Sequence, residues 1–249
     1  MSNEIVKKSG SGKLQINKGK FTSDIIKAQS AALSEFIIPP VFRQLVVFVL
    51  DASESMTWEG LSGKSKGEEI NEQITPIIKR LQESRNSNCF DVAMHAFSQE
   101  TKEFLRLTSV KDIDLSQSDF NPCSHVGNYQ TYVKETLENT EKQINTYLSK
   151  YSQINSQALL ILLSDGDLYD YSDSHEICSR LKENNKVTIA SYLFEDKNWE
   201  ENLDTETLDE LKLNIKNLSS PGDFYHSKVD PEEIRKHMIK SISTVSKVN

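Results

Sequence analysis

Leu45-Val46-Val47-Phe48-Val49-Leu50-Asp51-Ala52-Ser53-Glu54-Ser55-Met56 is the stretch on which the reading of this chain turns. An unbroken apolar run of that length, rich in valine, is the pattern of a strand buried on both faces, as at the centre of a parallel sheet. It stops abruptly at Asp51. The Asp-x-Ser-x-Ser that follows is therefore expected at the carboxyl edge of the sheet, where open α/β folds bind ligands. One carboxylate and two hydroxyls in alternate positions make a hard-oxygen donor set suited to Mg²⁺ or Mn²⁺.

A complementary half lies far along the chain. Ala158-Leu159-Leu160-Ile161-Leu162-Leu163 is a second buried-strand run, ending in Ser164-Asp165-Gly166. Between the two halves, Gly127-Asn128-Tyr129-Gln130-Thr131 forms a polar loop that leads into a helical pattern, with Thr131 at the expected helix start. In this order the motifs resemble the von Willebrand factor A (vWA) family over roughly residues 42 to 246. The metal-ion-dependent adhesion site of that family joins an Asp-x-Ser-x-Ser, a threonine from a separate loop and an aspartate after a second strand. The resemblance implies that Asp51, Ser53, Ser55, Thr131 and Asp165 hold a metal. It also implies that Ser53 and Ser55 bind directly, while Asp51, Asp165 and Thr131 bind directly or through water. An incompletely neutralised ion keeps an open position that a partner's Asp or Glu carboxylate fills. Such a site is a docking point rather than a reaction centre.

Two departures from the family pattern stand out. Glu54 occupies the position between the serines where glycine is common, and Gly127 lies four residues before Thr131 instead of beside it. A solvent-facing Glu54 is expected to repel an acidic ligand weakly, as exposed charges do.

The length of 249 residues suits one α/β domain and an arm, since domains average ~100–150 residues. Residues 1–40, rich in Ser, Gly, Lys and Asn at their start, read as a flexible arm with a short helix between Phe21 and Phe36. Residues 41–249 read as the vWA domain, a doubly wound, mostly parallel central sheet flanked by helices. Further strands are expected at Phe90–Phe97, Glu103–Leu107, Val187–Phe194 and Asp223–His226. Helices are expected through Ile70–Leu81, where Pro76 should kink or interrupt the run, and through Val133–Tyr151 and Leu208–Leu218. Asp230-Pro231-Glu232-Glu233 opens a last helix with an N-cap and a first-turn proline.

A net charge of −8 gives no reason to expect nucleic-acid binding. No apolar run reaches the ~20 residues of a membrane span, and no signal-peptide core opens the chain, so neither membrane insertion nor export is expected. Three widely spaced cysteines argue for a reducing cytoplasm over a disulfide framework.

Other motifs carry less. Gly10-Ser11-Gly12-Lys13-Leu14 and Gly60-Leu61-Ser62-Gly63-Lys64-Ser65 miss the residues or spacing of a phosphate loop and read as flexible loops. Cys123, His125, His175 and Cys178 could in principle meet around zinc. The plainer reading makes Cys178 a buried helix residue, His175 a neighbour of that helix's start, and Cys123 and His125 loop residues. Asp167 and Asp170 read as a solvated acidic loop, with no nucleophile–base pair to suggest an enzyme. Trp199, in the acidic stretch Glu195–Glu210, belongs to a solvated insertion or, if exposed, to a protein interface.

Together these readings describe a cytoplasmic, prokaryotic, non-enzymatic adaptor that binds a protein partner through Mg²⁺ or Mn²⁺. Within the family the motifs look most like the stand-alone bacterial TerY-like group, which implies a stress-response or defence setting alongside a protein kinase and a PP2C-type phosphatase. The alternative is a vWA subunit that engages an AAA+ ATPase of the MoxR or chelatase type. A metal-dependent hydrolase comes third.

Overall fold

The computed structural model describes residues 42–197, 199 and 203–246; the arm and its expected helix lie outside them. Six strands form one sheet in the order β3-β2-β1-β4-β5-β6. They are β1 (Phe42–Asp51), β2 (Phe90–Phe97), β3 (Thr101–Ser109), β4 (Asn155–Ser164), β5 (Val187–Phe194) and β6 (Tyr225–Lys228). All neighbours run parallel except β2 and β3. The antiparallel β3 lies at the edge of the sheet, and its residues are only half-buried or exposed, as expected of a strand with one side left to solvent.

Five α-helices cover the sheet among the described residues: α1 (Lys66–Glu83), α2 (Lys134–Lys150), α3 (Tyr171–Lys182), α4 (Thr205–Leu218) and α5 (Pro231–Val245). Because successive strand residues point to opposite faces, β1 supplies two cores. Val46, Phe48 and Leu50 pack with Ile70, Ile74 and Ile77 of α1 and Ile234 and Met238 of α5. Leu45, Val47 and Val49 pack with Leu137 and Ile144 of α2, Ile177 and Leu181 of α3, and Leu211 and Ile215 of α4. Each buried aliphatic side chain contributes roughly 1.5–3 kcal/mol, so β1, buried along nearly its whole length, anchors both layers.

The helix ends follow local sequence. Ser65 and Glu68 form a reciprocal capping box at the start of α1. Asp204 caps α4, and Asp230 caps α5 ahead of Pro231. α1 runs through Pro76 without interruption. The carbonyl deprived of a donor belongs to Glu72, an exposed residue on the solvent side of the helix.

The strand order reverses direction at β1 and β4, which lie side by side with Leu50 opposite Leu163. That switch point opens a crevice at the carboxyl ends of the two strands. Asp51 ends β1 there, and Asp165 follows β4.

Candidate metal centre

Asp51 is fully buried. Its Oδ1 accepts the Ser53 N–H at 2.7 Å, and its Oδ2 accepts the Ser164 hydroxyl at 2.5 Å. The 3₁₀ turn Glu54–Thr57 folds the chain back after Ser53, leaving the Ser53 and Ser55 hydroxyls 3.0 Å apart. Ser55 donates to Asp165 Oδ1 at 2.7 Å. A spacing of 3.0 Å is the edge of an octahedron with metal–oxygen distances of about 2.1 Å. Burial, and then the neighbouring Asp165, push the Asp51 carboxyl up to about 7, against the pull of its Ser164 and Ser53 hydrogen bonds. Two carboxylates this close and this deep call for a cation. The four residues fit a divalent metal: the serines would hold it, and the aspartates would orient them and supply charge. When bound, the ion would supply an electrophilic position for an anionic oxygen.

Thr131 is buried on the loop beside them, but it does not start a helix. That position is three residues later, because Asp170 from the loop after β4 takes the N–H groups of Val133 and Lys134 at 3.1 and 2.7 Å. A side chain from elsewhere in the chain thus does the work of a local cap, and Asp170 is a helix cap rather than part of a solvated acidic loop; Asp167 is exposed. The Thr131 loop is tied on three sides. The Tyr129 carbonyl accepts from Glu54 N–H at 3.1 Å, the Thr131 carbonyl from Tyr169 N–H at 3.0 Å, and the Ser98 carbonyl from Tyr132 N–H at 3.2 Å. These bonds draw all three site loops together. Glu54 faces solvent.

One member of the site gave no signal in the sequence. Lys66, the first residue of α1, is almost wholly buried, with its ammonium 2.7 Å from Asp165 Oδ2 and 3.1 Å from Asp196 Oδ2. Cys123 lies close by. Its thiol is pushed up to about 12, by burial first and then by Asp51 and Asp165. That makes it an inert thiol at neutral pH.

The zinc quartet does not assemble. Cys123 packs against the α1/α5 core and Cys178 is buried in the α2/α3/α4 core, on the opposite face of the sheet. His125 stacks on Phe104, and His175 lies against Tyr171. Among the described residues no group of three or more His, Cys, Asp or Glu side chains could hold a metal, so the candidate centre depends on its serine hydroxyls.

Trp199 is half-buried against the α2/α3/α4 core instead of standing exposed among carboxylates. It lines a cavity of about 320 Å³ together with Ser55, Asp165, Leu203 and Leu211. The exposed aromatics are others: Trp58 after the Asp51 loop, Tyr129 and Tyr132 on the Thr131 loop, and Tyr169 after Asp165. Tyr132 and Tyr169 stack at 5.4 Å. The Gly60–Ser65 segment is an ordered turn, closed by a Gly60 N–H bond to the Lys64 carbonyl and by Gly63 at a φ of 79°. The buried Glu69 carboxylate accepts the Ser62 N–H at 2.5 Å, placing a negative charge where a phosphate loop would need an anion's site.

The von Willebrand factor type A domain model matches residues 46–234, and the chain belongs to that family. Comparison with curated proteins gives no match. Among solved structures, the pilus adhesin SpaC of Lactobacillus rhamnosus GG in its open conformation superposes with a TM-score of 0.62 at 12% identity, over 82% of this chain and 30% of the adhesin. BatB from Bacteroides thetaiotaomicron gives 0.53 at 14% identity, over 82% of this chain and 98% of BatB. Proximal thread matrix protein 1 of the mussel byssus, with a zinc-occupied metal-ion-dependent adhesion site, gives 0.54 at 17% identity, over 81% of this chain and 45% of that protein. The chain thus spans under a third of the adhesin and under half of the byssus protein. At these identities the likeness is one of fold.

Proposed function

We propose that this chain is a non-enzymatic adaptor that binds a protein partner through a divalent ion held by Asp51, Ser53, Ser55 and Asp165, with Thr131 completing the set. The observation that carries the reading is the convergence of two buried carboxylates and two hydroxyls at the switch point, ringed by exposed Trp58, Tyr129, Tyr132 and Tyr169. Tyrosine and tryptophan are enriched where proteins bury one another. A partner Asp or Glu on the ion, surrounded by aromatic contacts, suits that face. The binding role agrees with the adhesin and thread-matrix roles named for two structural relatives. Mg²⁺ or Mn²⁺ suits the oxygen donors best. Asp170, the obvious candidate base nearby, is committed to capping α2, which favours docking over catalysis. Three unpaired cysteines suit a cytoplasmic setting, and among the described residues no helix is long and apolar enough to cross a membrane. The sequence resemblance to the TerY-like group supports a partner drawn from a kinase and PP2C-phosphatase stress or defence system.

Calorimetry with Mn²⁺ tests the site. Wild type should bind one ion, Asp51→Ala none, and Asp165→Ala far less. The partner captured by wild type should be lost on chelation and lost by the folded Ser53→Ala/Ser55→Ala variant. Unchanged Mn²⁺ binding by Asp51→Ala would defeat the metal reading, and a partner that survives both treatments would place the interface elsewhere.

A further inference from the structure

Lys66 is an anomaly on electrostatic grounds. It is the first residue of α1, at the positive end of a helix dipole where cations are disfavoured. Its side chain is 3% exposed, so it gives up both rotamer freedom and hydration. The plain structural reading is that two carboxylates compensate a buried lysine. However, one of those carboxylates is Asp165, which the metal site also uses. Its oxygens are divided: Oδ1 accepts from Ser55, and Oδ2 faces the ammonium at 2.7 Å. Asp196 holds the ammonium from the other side at 3.1 Å.

We propose that Lys66 is a tethered cation that shares Asp165 with the divalent ion and holds the site's metal affinity down. This rests on the metal-site reading above. An ammonium bound to one oxygen of Asp165 offsets much of the charge that this carboxylate would offer an ion, and it repels an ion seated on Ser53 and Ser55. It also keeps Asp165 oriented between metal-binding events. One ammonium does not neutralise Asp51 and Asp165 together, so the site still attracts a divalent ion, but weakly. Coordination by a partner's carboxylate then matters more to retention of the ion, and metal and partner bind as a pair.

The test is Mn²⁺ calorimetry, with thermal unfolding in chelator and in Mn²⁺, on wild type, Lys66→Met and Lys66→Gln. The glutamine variant keeps a hydrogen-bond donor for Asp165 should the methionine variant fold poorly. Lys64→Met serves as a control, since Lys64 lies two residues away and pairs with Glu72 at the surface. Both Lys66 variants should bind Mn²⁺ about tenfold tighter or more, melt lower in chelator, and gain more from Mn²⁺ than wild type does. Lys64→Met should bind as wild type. Lys66 variants that bind no tighter than a metal-binding wild type would overturn the proposal and leave the metal reading standing. Equal tightening by Lys64→Met would overturn it as well, by reducing the effect to net charge. Binding by the Lys66 variants alone would support it. If no form binds Mn²⁺, the metal reading falls and this proposal with it.

Discussion

Asp51 sits where its charge costs stability. It is fully buried and close to Asp165, so its carboxyl is pushed up to about 7. Asparagine at this position keeps the shape and both hydrogen bonds, because its carbonyl can accept from Ser53 N–H and its amide can donate to the Ser164 hydroxyl. Asp51→Asn should therefore stabilise the protein in chelator by about 1 kcal/mol while abolishing Mn²⁺ binding, the trade expected where function requires a strained charge. Urea unfolding in chelator and calorimetry check the two halves. A loss of stability would mean that the Lys66 ammonium already compensates Asp51. At this scale the candidate site was legible in that Asp51 ends an apolar run and Asp165 follows another after Ser164, so the strand pattern assigns both carboxylates to the sheet edge. Lys66 was not. In Gly63-Lys64-Ser65-Lys66 nothing in the sequence tells the two lysines apart, and only the approach of the Asp165 and Asp196 loops distinguishes the buried one from the exposed one. Asp170 was missed for a similar reason, since the helix it caps lies far from it in sequence.

The buried strands could be placed almost to the residue, because side chains covered on both faces leave a run with no polar alternation. β2 and β5 coincide with the expected spans. β6 does not: the expected Asp223–His226 is displaced to Tyr225–Lys228. Three of its residues are half-buried and Lys228 is exposed, so hydrophobicity sets no register, and Asp223 instead leaves the strand to pair with His237 and Lys240 of α5. α1 departs from expectation in the opposite sense, continuing past Pro76. Ile70, Ile74, Ile77 and Ile78 are all fixed in the core, and that packing outweighs one missing hydrogen bond. Proline in a helix interior costs ~3 kcal/mol, partly returned by the entropy it removes from the unfolded chain. Pro76→Ala restores an N–H for the Glu72 carbonyl and should stabilise the domain by about 2 kcal/mol. Denaturant midpoints would show it, and an unchanged midpoint would mean that the helix has already relaxed around the ring.

Across the whole molecule, opposing charge effects meet in its response to pH. His95 is buried in β2 and its pKa is lowered, by burial first, with Gln143 and Glu103 offsetting part of the effect. The unfolded chain takes up this proton near pH ~6.5 and the folded protein only below that. The His95 contribution is therefore fully present above pH ~6.5 and is lost as pH falls through the lower folded value. Asp51, with its raised carboxyl, acts in the opposite direction over part of the same range, so the His95 share is read from a difference. His95→Gln, which can keep a hydrogen bond to Gln143, should lose less stability than wild type between pH ~6.5 and ~5, as thermal melts across that range would show; parallel profiles would contradict it. The last prediction concerns the face as a unit. Trp58 and Tyr169 are 57% and 69% exposed, on the two loops that carry Ser55 and Asp165. Neither takes part through its side chain in the hydrogen bonds that shape the candidate ion site, so truncating either should leave Mn²⁺ binding intact. If the ion supplies one contact and the aromatic rim supplies area, each alanine variant should weaken partner binding by about 2 kcal/mol, the scale of an interface hot spot. Leu107, equally apolar in character and 38% exposed on the edge strand β3, is the control and should change nothing. Partner titrations in Mn²⁺ separate the cases. Loss in the Leu107 variant would move the interface to the sheet edge, whereas selective loss at Trp58 and Tyr169 with Mn²⁺ binding retained would show that ion and rim act as two parts of one surface.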